Sequence, residues 1–78
     1  MKKLKAVRLS KGLTQKALSE RSGVNLRTIQ DYELKKGAPI ENAKLPTLLC
    51  LAKSLECKVI DILDDQELIR LYKEIEND

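Results

Sequence analysis

QKALSERSGVNLRTIQDY, residues 15–32, is the stretch of sequence that decides the fold. Apolar side chains such as Leu18 and Ile29 recur at helical spacing on either side of Gly23, which predicts two short helices joined by a tight turn. Ser19 lies where the two helices approach, and a larger side chain there would push them apart. These features predict two helices locked at a steep mutual angle, which is a helix-turn-helix.

Helical spacing of apolar residues continues on both sides of this stretch, while strand-like alternation is absent. We therefore predict an all-α chain of five helices plus one additional C-terminal helix. The first five helices would form one domain over residues 1–64, and residues 65–78 would be an extension for packing or dimerisation. The predicted helices are Lys2–Lys11, Gln15–Ser22, Leu26–Lys35, Leu45–Leu55, Lys58–Leu63 and 66–76.

The composition limits what so small a chain can do. It has 78 residues, of which 42% are apolar and only 3% aromatic, so we expect a single domain with an aliphatic core. Histidine, the commonest general base and the commonest metal ligand, does not occur. Because no clustered carboxylates or metal-ligand spacing replace it, we expect no enzymatic activity, no metal and no cofactor.

Charge is distributed unevenly along the sequence. Residues 1–44 carry eleven lysines and arginines against four acidic residues, a net charge of +7, whereas residues 45–78 carry four against eight, a net charge of −4. A basic half on a small domain is typical of a surface that faces nucleic acid. On charge alone, an ordinary mixed surface exposed to solvent is the alternative.

Cys50 and Cys57 are the two cysteines, and without histidine they cannot close a four-ligand zinc site. On one helix face their spacing separates them by roughly 10 Å, which is too far for a disulfide bond. We interpret them as small buried apolar residues in a reducing compartment, with redox sensing as the alternative. No apolar run has the length of a signal peptide or a membrane span, so we expect a cytoplasmic protein.

A linked set of motifs covers Leu4 to Leu63, most of the chain. It consists of Leu4-x3-Arg8-x3-Gly12-Leu13-Thr14-Gln15, Leu18-Ser19, Ser22-Gly23-Val24, Thr28-Ile29, Tyr32-Glu33, Leu51-Ala52-x2-Leu55 and Val59-x3-Leu63. This set resembles the Xre/Cro-type helix-turn-helix regulators, which include phage repressors. The resemblance implies a repressor-like five-helix domain, a phosphate contact by Gln15, and an ion pair between Arg8 and Glu33. The loop over residues 34–43 is longer than the common family pattern.

The third predicted helix is the one that a helix-turn-helix presents to the DNA major groove. At ~100° per residue and with Ile29 inward, Arg27 and Asp31 fall opposite the core. Arg27 is therefore the best candidate to read guanine, and Asp31 could steady it or accept from cytosine N4. Asn25 and Leu26, at the tip of the helix, are further candidates for base contacts, and for Leu26 the alternative to a thymine methyl contact is partial burial in the core. The alternative is that Arg27 and Asp31 form a solvent-facing pair.

Basic and polar side chains flank the motif at loops and helix starts. Such positions suit DNA phosphates, although any single lysine is more often simply solvated. The predicted phosphate contacts are Gln15, Lys16, Thr28, Lys35, Lys36 and Lys44.

Residues 66–76 lie beyond the family pattern and carry one narrow apolar stripe, formed by Leu68, Leu71, Tyr72 and Ile75. Because a helix of this length is marginal alone, the stripe must pack against something. It packs either on its own domain or across a twofold axis. We favour the second, since two recognition helices ~34 Å apart would read an inverted repeat.

The sequence thus predicts a sequence-specific double-stranded DNA-binding transcriptional regulator, most simply a homodimeric repressor at an inverted-repeat operator. Two alternatives stay open. An antitoxin-type protein would bind DNA and also neutralise a protein partner through its acidic C-terminal half. A protein-interaction adaptor would use the same fold without binding DNA, and the basic half of the chain argues against it.

Overall fold

The computed structural model describes residues 1–76 and confirms the all-α prediction. The α-helices are α1 (Lys3–Ser10), α2 (Gln15–Ser22), α3 (Leu26–Glu33), α4 (Leu45–Ser54) and α5 (Gln66–Glu76). Single 3-10 turns lie at Ile40–Asn42 and Val59–Asp61. The helix predicted over residues 58–63 forms only the second of these turns, so the additional C-terminal helix is α5. Within residues 1–76 no strand forms, and no helix has the length and apolar character needed to cross a bilayer.

The segment between α4 and α5 stops short of a helix because its backbone hydrogen bonds go elsewhere. Asp61 Oδ2 accepts from the backbone N–H of Lys58 at 2.9 Å and closes a single turn. The N–H groups of Asp64 and Asp65 then donate to Glu41 Oε2, at 2.6 and 2.9 Å. Since these two donors are not available to the carbonyls of a continuing helix, the turn ends and α5 begins afresh.

The core is aliphatic, as the shortage of aromatic residues requires. Its most deeply buried side chains are Leu4, Leu18, Ile29, Ile40, Leu51, Leu55, Ile62 and Leu63, each less than 2% exposed. Burying a side chain of this size contributes about 1.5–3 kcal/mol, so this cluster holds α1 to α4 together. α5 joins the core through Ile69, which is 5% exposed, with Tyr72 packed at the edge of the cluster.

Three helices, α1, α2 and α4, are followed by a residue with left-handed backbone, and this residue is not always glycine. After α1 that position is Gly12, with a φ of 69°. After α4 it is Glu56, with a φ of 54°. There the N–H of Cys57 donates to the carbonyl of Ala52 at 3.0 Å, which is the hydrogen bond that normally accompanies a glycine. A side chain in the left-handed region costs roughly 1 kcal/mol, so Glu56 is a strained residue.

The two cysteines do not share a helix face, which corrects the interpretation from the sequence. α4 ends at Ser54, so Cys57 lies in the turn beyond it. Cys50 is exposed on α4 and Cys57 is half-buried, and both are free thiols. Burial, and then the charge of Asp61, raises the pKa of Cys57. Only Cys57 therefore has the buried character that was expected of both.

Candidate nucleic-acid interface

The turn between α2 and α3 is fixed by side chains that hydrogen-bond to its backbone. The Ser19 hydroxyl donates to the carbonyl oxygen of Val24 at 2.6 Å, and Ser22 Oγ accepts from the N–H of Val24 at 3.1 Å. Gly23 has a φ of 74°, which reverses the chain at little steric cost. The small size of Ser19 was predicted, but its hydrogen bond was not, because apolar periodicity carries no signal for it.

Arg8 of α1 and Glu33 at the end of α3 lie in direct contact as a buried ion pair, with side chains 7% and 3% exposed. Nε and Nη2 of Arg8 donate to Oε2 and Oε1 of Glu33, each at 2.8 Å. Nη1 of Arg8 donates to the carbonyl of Leu13 at 2.7 Å. The hydrogen bond to Glu33 raises the pKa of Arg8, although burial acts against it. This pair fixes the C-terminal end of α3 against α1.

Gln15, at the first position of α2, joins the same network. Its Nε2 donates to Glu33 Oε1 at 3.0 Å, and the side chain is half-buried. An amide nitrogen carries two donors, so one N–H stays free for a phosphate. Glu33 therefore orients the side chain of Gln15. The sequence pattern does not indicate this contact between Gln15 and Glu33.

The N-terminal half of the recognition helix α3 has one buried side and one exposed side. Ile29 is fully buried and Arg27 is exposed, as the helical wheel predicts. Asn25 Oδ1 accepts from the N–H of Arg27 at 2.8 Å and caps the helix, so the predicted contact residue is also a structural one. Leu26 is half-buried, between the two positions considered for it.

The loop that follows α3 folds back over Asp31, on the side of the helix that the wheel places opposite the core. The side chain of Asp31 is half-buried, and Oδ2 accepts from the N–H of Ala38 at 3.4 Å. Arg27, Thr28 and Asp31 line one open depression of about 480 Å³ together with Asn42 of the first 3-10 turn. Asn42 was missed in the sequence because it lies far from α3 along the chain.

A second depression joins the N-terminal ends of α3 and α4. It has a volume of about 330 Å³, and its lining includes Asn25, Thr28 and Thr47. Lys44, which precedes α4, makes no capping hydrogen bond with its side chain. Backbone N–H groups at the start of a helix attract phosphate, and these two helix starts flank a groove that also carries hydroxyl and amide side chains. Thr47 was not predicted as a site residue. Pro46 indicates a helix start in the sequence, and this signal could have pointed to the neighbouring Thr47.

The four predicted lysines are exposed, but the structure does not bring them all to one place. Lys16 is in the first turn of α2, and Lys44 immediately precedes α4. Lys36 lies in the loop after α3. Lys35 lines a different depression, beside Lys2 and close to Met1. Thus Lys16 and Lys44 lie at the starts of α2 and α4, Lys36 lies on the loop after α3, and Lys35 faces the start of α1.

Comparison with known proteins agrees with this geometry. A family model described as helix-turn-helix matches residues 4–58, well over half of the chain. A search of curated proteins and a search of solved structures each gave no match. The matched family consists of DNA-binding regulators and is not typically enzymatic. The chain belongs to the Xre-like helix-turn-helix family of DNA-binding regulators.

Proposed function

We propose that this regulator is a sequence-specific repressor that binds an inverted-repeat operator as a homodimer, with α3 in the major groove. The observation that carries the proposal is the exposure of Arg27 on a helix whose position is fixed at both ends. The Ser19 and Asn25 hydrogen bonds fix its start, and the Arg8–Glu33 pair fixes its end. Pre-ordering of this kind means that the backbone of the helix loses no further conformational freedom when the arginine contacts a base.

Base reading would centre on Arg27, whose guanidinium can donate to O6 and N7 of one guanine. Asn25 would donate to a base through its side-chain nitrogen, Nδ2, while Oδ1 caps the start of the helix. Leu26 would place its exposed part against a thymine methyl group. Asp31, which is tied to Ala38, would accept from cytosine N4 only with its remaining oxygen.

Phosphate contacts would surround the base-reading residues, which are Asn25, Leu26, Arg27 and Asp31. Gln15, Lys16 and Thr28 lie on the helix-turn-helix itself, and Lys36 and Lys44 lie on the loop that follows it. Lys35 would reach a phosphate only where the DNA extends toward the start of α1. Contacts of this kind position the protein on any sequence and make its affinity dependent on salt.

The short length of α3 is the reason for proposing a dimer. α3 has eight residues, so it is ~12 Å long and covers only a few base pairs. Half-sites on one face of DNA lie ~34 Å apart, a distance comparable to the 36 Å length of the domain. Of the predicted stripe on α5, Leu71 and Ile75 are exposed, whereas Leu68 and Tyr72 are half-buried and Tyr72 packs against its own core. Two copies joined through the exposed residues would read both half-sites. Occupation of a promoter by such a dimer would block transcription.

The test is a binding selection from random oligonucleotides, followed by affinity measurements on the selected site. Arg27→Ala should cost ~1–3 kcal/mol on that site and relax discrimination at one base pair. Lys36→Ala should weaken binding to all sequences alike. Lys11→Ala removes the same charge from an exposed position near Cys57 and serves as the control. Recovery of no preferred sequence, or equal sequence-independent losses for Arg27→Ala and Lys36→Ala, would contradict the proposal.

A further inference from the structure

An apolar trough lies between α4 and α5, away from the DNA-reading residues. Its volume is about 430 Å³, and its lining includes Leu45 and Leu49 from α4 and Tyr72 from α5. Leu45 and Leu49 lie one helical turn apart and are 55% and 52% exposed. Two half-exposed leucines on one helix face are a larger apolar surface than the scattered single residues that need no explanation.

α5 has one apolar side that is covered and one that is not. Ile69 and Tyr72 pack on the core of their own domain. Leu71 and Ile75, on the next strip of the helix surface, are 41% and 73% exposed. Because Ile75 is one turn beyond Tyr72, the exposed strip adjoins the trough. One side of α5 therefore packs within its own domain, and the other side has no apolar cover within the described residues.

The trough and the exposed side of α5 are complementary in charge. Lys53 and Lys58 line the trough and are exposed. Glu67 and Glu74 on α5 are 66% and 61% exposed, and each contacts Arg70. An α5 helix from a second copy can therefore bring carboxylates to the lysines that rim the trough. Such pairs favour one orientation and one partner more than they raise affinity.

The position of the trough relative to α3 also suits a second copy. Pro46 and Thr47, which lie between the two trough leucines along α4, line the groove shared with Asn25 and Thr28 at the tip of α3. One side of the N-terminal half of α4 thus faces the base-reading end of α3, and another side faces the trough. An assembly through the trough therefore leaves the base-reading residues of each copy uncovered.

We propose that the trough and the exposed side of α5 form one self-complementary surface that joins two copies of the chain. Leu71 and Ile75 of each copy cover Leu45 and Leu49 of the other, and Glu74 of each copy meets Lys53 of the other. This surface rests on the homodimer proposed above and extends it from α5 to α4. A twofold interface requires this reciprocity, because the same patch serves both copies.

Sedimentation velocity of the full chain without DNA tests the surface directly. Leu49→Gln and Ile75→Gln should each raise the dimer dissociation constant about tenfold, since each removes an apolar side chain from the interface. Leu9→Gln and Leu34→Gln are matched controls, because these leucines are 50% and 60% exposed elsewhere on the molecule. Equal dissociation constants for the trough variants and the controls would overturn the proposal, as would a wild-type chain that stays monomeric at 100 μM.

Charge reversal in trans tests the pairing between copies. Lys53→Glu alone and Glu74→Lys alone should each weaken self-association, because each homodimer then carries two like-charged pairs. An equimolar mixture of the two variants should associate more tightly than either alone, since both cross-pairs in the mixed dimer are again opposite in charge. No gain on mixing would refute the Lys53–Glu74 contact. Operator binding with a steep salt dependence by a chain that fails these tests would leave the proposed DNA-binding function standing.

Discussion

Replacing Arg8 by methionine should destabilise the domain by about 3–5 kcal/mol, because it leaves the Glu33 carboxylate buried without its cation. The structure supports the upper part of this range. Glu33 is 3% exposed at its side chain, and both of its oxygens accept from Arg8. After the replacement, Gln15 would be the partner left to it. A domain of this size has roughly 4–12 kcal/mol of total stability, so Arg8→Met should be marginally folded.

The double variant Arg8→Met with Glu33→Leu should recover most of this loss. Removing both charges leaves no ion to desolvate, and apolar replacement of a buried pair is often neutral or stabilising. The coupling free energy between the two positions should therefore exceed about 2 kcal/mol, well above the error of a double-mutant cycle. Gln15 would lose its acceptor and turn to solvent.

Urea denaturation followed by circular dichroism at the helical band measures these free energies. Arg70→Met is the matched control, since Arg70 pairs with Glu67 and Glu74 at the surface, where it is 61% exposed. That variant should lose less than about 1 kcal/mol. If Arg8→Met costs no more than the control, or if the losses at positions 8 and 33 simply add, the buried pair does not hold the fold as described.

Three further outcomes are expected. Gly37→Ala should cost about 2–3 kcal/mol in urea melts, because its Cβ would lie 1.9 Å from a backbone oxygen of α3; wild-type stability would contradict this contact. Glu56→Gly should stabilise the domain by up to about 1 kcal/mol and Gly12→Ala should destabilise it by a similar amount, whereas the same sign for both would refute the strain at these positions. Iodoacetamide near neutral pH should label Cys50 faster than Cys57, whose pKa is raised. Because the raised pKa belongs to the folded state, the stability due to Cys57 is present at low pH and is lost as the pH rises through that pKa. Equal labelling rates, or an alkaline loss that Cys57→Ser does not reduce, would contradict this reasoning.

The helix-turn-helix could be predicted closely because its signals are local. α2 begins and ends where periodicity placed it, and the side chains of Thr14 and Asn25 cap the starts of α2 and α3. α3 ends at Glu33, earlier than predicted, because the loop that follows returns to Asp31. Local patterns specify which residues can form a helix, but not what a later loop does to its end.

The remaining differences come from contacts between distant parts of the chain. Glu41 accepts a hydrogen bond from the N–H of Asp64, which lies just before α5 and 23 residues further along the chain, and no periodic pattern marks such a contact. The apolar stripe of α5 was visible, but a stripe does not say what covers it, and Ile69 on its flank is the residue that enters the core. Truncation after Asp65 would therefore remove part of the core, so point variants test dimerisation more cleanly.

DNA affinity as a function of salt tests the central claim most directly. The claim is that α3 and the basic residues around it bind duplex DNA. With about six phosphates neutralised per dimer, counterion release predicts a slope of about −5 for log K against log salt concentration. Fluorescence anisotropy with the selected operator across 50–300 mM salt measures this slope at about 25 °C. A slope close to −5 is the predicted result, and a slope near zero would contradict DNA binding by this surface.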